Sequence, residues 1–571
     1  MKKILLPVFI IFFVFFFVFE TDALCGRAPV SEITEECLGC HSSVHPGIAE
    51  EWQRSRHAMI SPEQAMQLRG PERKISALSV PENLKRTAVG CAECHMINHD
   101  MHESDTFLHN GHEIHTIVSP RDCAVCHREE SEQFSGNIMS HAWKNLAENP
   151  VYQHLEEAVI GKPVREEKNF RYEKADADTR AEACYYCHGT KLEVKGQESR
   201  DTRMGEMEFL QISGWPNQGI GRINPDGSSG ACSACHSRHA FSIEMARKAA
   251  SCRECHMGPD VPAYKVYLSS KHGNIYTTMN KDWNFKSVPW TVGKDFSAPT
   301  CAACHMSLLA NTDGETVVPR THRISDRLSW RIFGLIYAHP HPRDPDTTVI
   351  RNRAGLPLPA DMDGTPAAGF LIDNAEKEKR TAAMQSVCRS CHSAPWVSGH
   401  WRRFENTIAR SNADIRTATE IMNDIWARGY AKGLAQDANP FDENIERIWC
   451  DTWLFYANTI RFTSAMAGGG DYGVFADGRY QFSRQIRELQ EWLDLRTHLF
   501  PARAPVAEIP ARQFPAEDKG EGKIPVLPHR MSFNTLGWAK SSTAAESSRN
   551  DSIHSIRQRA GGKNHQSQMR E

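Results

Sequence analysis

A five-residue pattern, Cys-x-x-Cys-His, occurs eight times in this 571-residue sequence. The copies end at His41, His95, His127, His188, His236, His256, His305 and His392. At this spacing the two thiols can reach the vinyl groups of a porphyrin, and the adjacent imidazole can bind the iron from one side. Eight copies in one chain therefore predict eight covalently bound haem c groups.

The cysteine count leaves little room for another interpretation. Sixteen of the 18 cysteines lie in the motifs, and only Cys25 and Cys450 lie outside them. The predicted haem anchors are Cys37, Cys40, Cys91, Cys94, Cys123, Cys126, Cys184, Cys187, Cys232, Cys235, Cys252, Cys255, Cys301, Cys304, Cys388 and Cys391. A disulfide scaffold does not fit this arrangement, and structural zinc sites would not need a histidine after every Cys-x-x-Cys pair.

The remaining histidines and the charge narrow the chemistry further. Eight of the 27 histidines end the motifs, so 19 remain. That number is large enough to give most irons a second imidazole ligand. The formal net charge of −3 gives no indication of a nucleic acid or another strongly charged partner.

The first 23 residues have the layout of a secretory signal. Lys2 and Lys3 precede an apolar run from Ile4 to Phe19, and the small residue Ala23 follows. The run is too short to cross a membrane comfortably, so we expect cleavage rather than anchoring. The pattern predicts export to the periplasm or an equivalent extracytoplasmic compartment, with no transmembrane span in the mature protein.

Two regions of different character must position the motifs. Residues 24–400 contain all eight motifs at irregular gaps, which favours loops and short helices packed around haems. Residues 401–500 show apolar residues at helical spacing in three segments, and residues 501–571 read as an extended or disordered tail. The three segments carry Ile408, Ile415, Met422 and Ile425, then Ile445, Ile448, Trp449, Trp453 and Tyr456, then Phe482, Ile486, Leu489 and Leu493. The expected fold is a mainly α multihaem cytochrome c with a haem-packed N-terminal region and a long-helix C-terminal bundle.

The motif order resembles the octahaem hydroxylamine oxidoreductase family over roughly residues 35–500. Besides the eight motifs, three blocks carry the resemblance, namely Cys232-Ser233-Ala234-Cys235-His236-Ser237-Arg238-His239, Cys252-Arg253-Glu254-Cys255-His256-Met257-Gly258-Pro259-Asp260 and Ser270-Lys271-His272-Gly273. In that family seven haems carry two histidines and conduct electrons, whereas the fourth has an open face and does the chemistry. The resemblance thus implies that His188, with Cys184 and Cys187, holds the catalytic haem.

The resemblance also implies distal ligands for the conducting haems. The matching histidines are His57, His99, His141, His239, His272 and His322. A seventh stays open among His115, His341 and His400. Any one of these histidines could instead be a surface or hydrogen-bonded residue.

Two residues near the implied active site can be matched to the family. Where hydroxylamine-oxidising members have an Asp-His pair facing the catalytic iron, this sequence has Asp260-Val261. The acid can still exchange protons, but a step that needs two proton acceptors should be weaker. Met306 matches a position that lines the distal pocket in some members, although a thioether could equally fill a gap beside a haem.

A further departure concerns a tyrosine. Oxidising members carry, in a Thr-Tyr-x-Asp-Gly context, a tyrosine bonded covalently to the catalytic porphyrin of a neighbouring subunit. The sequence here places Phe475 at that point, and a phenyl ring cannot form the bond. A shifted alignment would bring in Tyr472 or Tyr480 instead, and Phe475 would then be an ordinary core aromatic.

These features favour an oxidoreductase that acts on small inorganic nitrogen compounds. The first hypothesis is reduction of nitrite to nitric oxide, or further to hydroxylamine or ammonia. The alternatives are oxidation of hydroxylamine or hydrazine, and an electron-transfer subunit without catalysis. The expected redox partner is a cytochrome or a quinone-linked complex. The resemblance implies a homotrimer, or a hetero-oligomer with a paralogue, and the apolar stripe Ile408, Ile415 and Met422 is expected to offer the contact surface.

Overall fold

A computed structural model describes residues 27–501, apart from residue 168 and the stretches 435–437 and 468–471. The predicted secretory segment 1–23, Cys25 and the predicted tail beyond residue 501 therefore lie outside the described residues. Among residues 27–501, none of the helices combines the length and the apolar character needed to cross a bilayer.

The haem-motif region is built from short helices joined by loops. Its α-helices are α1 Glu32–Val44, α2 Pro46–Arg54, α3 Arg56–Met59, α4 Pro62–Gln67, α5 Cys91–His95, α6 Pro120–Ala124, α7 Arg128–Ser135, α8 Ala142–Ala147, α9 Pro150–Ile160, α10 Ala177–Glu182, α11 Cys184–His188, α12 Ile243–Arg247, α13 Ala249–Arg253, α14 Ala263–Ser269, α15 Lys271–Met279, α16 Cys301–His305 and α17 Asn374–Arg389. Single turns of 3-10 helix cover Gly70–Glu72, Glu82–Leu84, His99–Met101, Cys232–Ala234, Asn280–Asp282, Ile324–Arg327, Thr347–Val349 and Ala368–Phe370.

Helices α5, α11 and α16 each consist of one complete haem motif. One helical turn brings the two cysteines, three residues apart, to the same face of the helix. Helix α11 ends at Gly189, where φ is +91°. A side chain there would clash with the backbone of Arg222 at 2.2 Å, so only glycine fits this turn.

Short antiparallel strand pairs, absent from the expected fold, interrupt the helices. The pairs are β1 Thr106–His109 with β2 His112–His115, β3 Lys162–Glu166 with β4 Asn169–Glu173, β5 Glu193–Thr202 with β6 Gly205–Ser213, and β10 Trp330–Arg331 with β11 His339–Pro340. A small three-stranded sheet joins β7 Trp290–Thr291, β8 Leu309–Ala310 and β9 Thr316–Val318. In the β5–β6 hairpin, the charged strand β5 contains Val194 as its only apolar side chain and has no alternation of apolar and polar residues that would have indicated a strand.

The three predicted helical segments after residue 400 are confirmed. Helix α18 runs over Ala394–Ala427, and α21 covers Tyr472–Leu499. Between them, α19 Asn444–Asp451 continues through a π-helical turn, Thr452–Tyr456, into α20 Ala457–Ala467. The fold is thus mainly α, as expected. The predicted domain boundary at residue 400 falls inside α18, and the division into domains stays a prediction.

The C-terminal helices form the largest apolar core of the described residues. Trp426, Trp449, Trp453 and Phe482 are buried in it. The stripe through Ile408, Ile415 and Met422 is also buried, with at most 1% of each residue exposed. The expectation that this stripe offers a subunit contact is therefore wrong, because α20 and α21 already cover it within the chain.

Candidate haem and active sites

Three motif histidines face a second imidazole at a regular distance. The ring centres are 6.2 Å apart for His57 and His127, 6.5 Å for His236 and His322, and 6.1 Å for His272 and His392. A bond between a histidine nitrogen and a transition metal is about 2 Å long, so two imidazoles sharing one ion have ring centres about 6 Å apart. The geometry of these three pairs fits an iron between the rings.

A fourth pair involves a histidine that the sequence did not single out. His109, at the end of β1, has its ring centre 6.3 Å from that of His41. The Nδ1 of His109 is buried without a hydrogen-bond partner. No local pattern indicated His109, because its approach to the first motif depends on the β1–β2 hairpin.

The other predicted distal ligands differ in where the structure places them. His239 lies near His95, whose charge adds to the effect of burial in lowering the pKa of His239 to about 4. By contrast, His99 is exposed, and Nε2 of His141 donates a hydrogen bond to the Ser135 carbonyl. The structure therefore does not bring His99 or His141 against a motif histidine, and their role as ligands stays a prediction.

The three contenders for the seventh ligand have different surroundings. The ring of His115 stacks on His102 with ring centres 3.7 Å apart, and its carbonyl accepts a hydrogen bond from Nδ1 of His95. His341 is buried and donates from Nδ1 to the Pro342 carbonyl. His400 is buried with its Nδ1 unpartnered. The ring centre of His115 also lies 6.2 Å from that of the motif residue His95, and Nδ1 of His115 is buried without a partner. The structure thus brings His115 against a motif histidine at the distance of the other pairs, and the choice of the seventh ligand stays a prediction.

The protonation of the buried histidines fits iron binding. Burial lowers the pKa of five of them to about 4: His57, His236, His239, His305 and His322. Their imidazoles are therefore neutral at pH 7, and a neutral ring nitrogen is the form that binds a metal. A buried polar atom without a partner costs free energy, and Nδ1 of both His305 and His322 is in that state. Iron ligation through these Nδ1 atoms would remove that cost.

Neighbouring motifs approach one another through their thiols. Four pairs of thiols from different motifs lie close enough for each to shift the pKa of the other: Cys37 and Cys91, Cys123 and Cys232, Cys187 and Cys255, and Cys252 and Cys301. All described cysteines are free. Motifs one and two, three and five, four and six, and six and seven therefore lie next to each other.

Hydrogen bonds from two of its residues, Tyr185 and His188, hold the fourth motif in place. Nδ1 of the half-buried His188 donates to the Ala142 carbonyl at 3.1 Å, which leaves Nε2 for a metal. The hydroxyl of Tyr185 donates to Glu156 at 3.1 Å and accepts from Arg180 at 2.9 Å. These bonds fix α11 against α9, so the orientation of the His188 ring is determined by the fold.

Asp260 lies beside this motif. Its negative charge opposes the burial that lowers the pKa of His188, and it also raises the pKa of Cys184. The carbonyl of Asp260 accepts a hydrogen bond from Nδ2 of Asn458 at 2.8 Å. Helix α20 therefore fixes the backbone that carries this carboxylate.

The remaining predicted site residues are less defined. Met306 is half-buried directly after α16, and its carbonyl accepts a hydrogen bond from Thr321 at 2.9 Å. Phe475 is half-buried against the core of the C-terminal helices, and Tyr480 is 63% exposed. The side chain of Tyr472 lies outside the described part of the chain. The roles of Asp260, Met306 and Phe475 stay predictions.

Two protein families match parts of the chain. The family described as "Seven times multi-haem cytochrome CxxCH" matches residues 226–330, and "Cytochrome c7 and related cytochrome c" matches residues 169–257. These matches support covalently bound haem c in this chain. The number eight stays a prediction.

Whole-chain comparisons extend the likeness. A "probable nitrite reductase-hydroxylamine oxidoreductase fusion protein" of Kuenenia stuttgartiensis is 26% identical over 437 residues, which are 74% of this chain and 41% of that protein. The chain thus spans less than half the length of this relative. A solved "hypothetical multiheme protein" is 37% identical, with a TM-score of 0.77, over 84% of this chain and 98% of that one.

A second solved structure supports the fold alone. It is a reducing HAO-like protein complex of Kuenenia stuttgartiensis, 17% identical with a TM-score of 0.55, over 82% of this chain and 86% of that chain. The motif pattern, the paired imidazoles and these likenesses agree with one another. The chain belongs to the multihaem c-type cytochromes, and it is similar to hydroxylamine oxidoreductase-like proteins among them.

Proposed function

We propose that this protein is an octahaem cytochrome c that reduces nitrite to nitric oxide at the haem held by His188. The observation that supports reduction most directly is Asp260, whose carboxylate lies beside the fourth motif and is followed by Val261 instead of a second base. Further reduction to hydroxylamine or ammonia would use the same site. There are two alternative functions. The protein could oxidise hydroxylamine or hydrazine, or it could be a subunit that only transfers electrons.

The proposed reaction requires the protein to supply an electron and protons to bound nitrite. Conversion of nitrite to nitric oxide and water consumes one electron and two protons. A haem bound at His188 would supply an iron with an open face and the electron. The Asp260 carboxylate lies beside this motif and is placed to relay two protons in turn from solvent to one nitrite oxygen, which then leaves as water. Asn458 keeps the Asp260 backbone in place.

The test is the Asp260→Asn variant with a viologen as electron donor. We expect nitrite reduction to slow by roughly a hundredfold or more, the usual contribution of a general acid, at unchanged haem content. The matched control is Asp313→Asn, which removes an exposed carboxylate from the turn between β8 and β9. An Asp260→Asn variant that is as fast as the control would contradict the proposed role.

Carbon monoxide distinguishes the alternatives. A reduced protein with one open haem binds carbon monoxide, whereas a purely electron-transferring subunit does not. Brisk oxidation of hydroxylamine by the unmodified protein would favour the oxidising alternative.

We also propose that the protein acts after export, in a homotrimer or together with a paralogue. The solved complex of HAO-like proteins supports an assembly of this kind. Light scattering that shows a monomer at micromolar concentration would refute it.

A further inference from the structure

A two-residue strand pair brings a guanidinium close to the fourth motif. Arg331 in β10 is the direct cross-strand partner of His339 in β11, so their Cβ atoms are about 5 Å apart. The charge of Arg331 contributes to lowering the pKa of His188 and of His339. Arg331 therefore lies near the same motif as Asp260.

Arg331 has no anionic partner in the described part of the chain. No carboxylate there lies within 4.0 Å of its guanidinium, which instead stacks on Phe333 at 4.9 Å. Together with His339, Asn149 and Tyr152 it lines a cavity. A positive charge that faces a cavity without a counter-ion is available to an anionic ligand.

A second guanidinium makes the surroundings more positive. Arg461 is fully buried, and its hydrogen-bond acceptors among the described residues are neutral oxygens: those of Ser411 at 2.9 Å, Asn412 at 2.6 Å, Ile332 at 3.2 Å and Asn458 at 3.5 Å. Burial lowers its pKa to about 9, which still leaves it charged at pH 7. A buried cation without a carboxylate is costly, so a nearby anion would stabilise it.

Helix α20 ties this cation to both Asp260 and Arg331. Asn458 donates to the Asp260 carbonyl at 2.8 Å, and its own side-chain oxygen accepts from Arg461 at 3.5 Å. Arg461 in turn donates to the carbonyl of Ile332, the residue after Arg331. One turn of α20 thus holds the proposed proton donor and the free guanidinium in a fixed relation.

The cavity also contains a hydrogen-bond acceptor. Nδ1 of His339 donates to the Pro340 carbonyl at 2.7 Å, so Nε2 carries a lone pair, and it has no partner. Gly334 keeps the space beside it open. A Cβ at Gly334 would lie 3.2 Å from Nε2 of His339 and 3.7 Å from Nε of Arg331.

We propose that Arg331 binds the oxyanion substrate of this protein beside the fourth haem, with His339 accepting a hydrogen bond from its protonated form and Arg461 acting as a positioning residue. The planar guanidinium can donate two parallel hydrogen bonds to the two oxygens of nitrite. The choice of nitrite rests on the proposed function. A haem propionate offers the same two-oxygen chemistry, and the experiment below separates the two.

The experiment titrates the oxidised holoprotein with nitrite and follows the haem absorbance, so that it does not require turnover. We expect Arg331→Gln to raise the nitrite Kd about tenfold or more, the effect of losing charge-assisted hydrogen bonds. Gly334→Ala should raise it as well, by filling the space beside Arg331. Arg402→Gln, which removes an exposed guanidinium from α18, is the control and should leave Kd unchanged. Binding of carbon monoxide, a neutral ligand, should be the same in all four proteins.

Several results would overturn the proposal. An unchanged nitrite Kd in Arg331→Gln, or no nitrite binding by the unmodified protein, would do so directly. Loss of haem or an altered spectrum of Arg331→Gln without nitrite would show that the guanidinium pairs with a propionate. If the unmodified protein binds nitrite through Arg331 but does not reduce it, the proposed function fails while the site stands.

Discussion

The rings of His41 and His109 face each other with their centres 6.3 Å apart, whereas the predicted ligand His99 is exposed to solvent. The first motif therefore has a second imidazole at a distance that fits a shared iron, and this imidazole lies on a β-strand. The relation matters because a haem with two imidazoles is low-spin and conducts electrons, while a haem with one is open to ligands.

We expect His109→Ala to convert one low-spin haem into a high-spin haem, since removal of the second imidazole leaves the iron five-coordinate. The matched variant His99→Ala should leave the spectrum unchanged. Electron paramagnetic resonance of the oxidised proteins measures both outcomes. If only His99→Ala produces a new high-spin haem, the hairpin does not supply the ligand.

The haem count provides a second prediction. Eight complete motifs predict a mass for the mature protein that exceeds its polypeptide by eight haems. Replacing both Cys184 and Cys187 with Ala should remove one haem from that total and abolish carbon monoxide binding, because His188 is proposed to hold the open haem. Mass spectrometry of the intact protein gives the count, and a total below eight in the unmodified protein would contradict the motif interpretation.

Patterns that are local in sequence predicted most of what the structure shows. The motifs and the three late helices follow from fixed spacings, such as the apolar positions around Trp449 and Phe482. His109, Arg331 and Arg461 could not be found in this way. His109 and Arg331 come into place through short strand pairs, and Arg461 is an ordinary arginine in the sequence whose burial depends on the packing of α20 against α18.

The expectation that an apolar stripe on α18 contacts another subunit failed because other helices of the same chain bury this stripe. The stripe through Ile408, Ile415 and Met422 has the spacing of any amphipathic helix face. Such spacing indicates that a face is covered, but it does not distinguish cover by another subunit from cover by the same chain. In this protein α20 and α21 provide the cover.

A buried ion cluster between the second and third motifs predicts a pH effect on stability. His102 is fully buried, with Nδ1 3.0 Å from Asp105 and Nε2 3.2 Å from Asp122. Although burial disfavours its charged form, the hydrogen bonds to these two carboxylates raise the pKa of His102 from 6.5 to about 10. The ring of His115 stacks on it.

Because the folded pKa of His102 is raised, its stabilising effect is complete below about pH 6.5 and is lost as the pH rises towards about 10. We expect His102→Gln to lower the Tm of the holoprotein clearly at pH 6 and progressively less towards pH 10. His498→Gln, an exposed histidine on α21, is the control. A Tm difference that does not change with pH would mean that His102 is uncharged in the folded protein.

The direction of the reaction gives the last prediction. The sequence predicts that Phe475 stands where oxidising members of the resembled family have their cross-linked tyrosine, and the structure places it half-buried against the core of the C-terminal helices. A phenyl ring has no oxygen to bond to a porphyrin, so we expect the reduced protein to lack the extra red-shifted absorbance band of a cross-linked haem and to oxidise hydroxylamine slowly. Phe475→Tyr supplies the missing phenol and is expected to gain some of that band. Phe482→Tyr, which places a phenol in the buried core, is the control and should not gain it.

The result that would contradict this prediction involves Tyr480, which is 63% exposed and could reach a neighbouring subunit. If the unmodified protein shows the band and loses it in Tyr480→Phe, the alignment of Phe475 is wrong and oxidation becomes the favoured reaction.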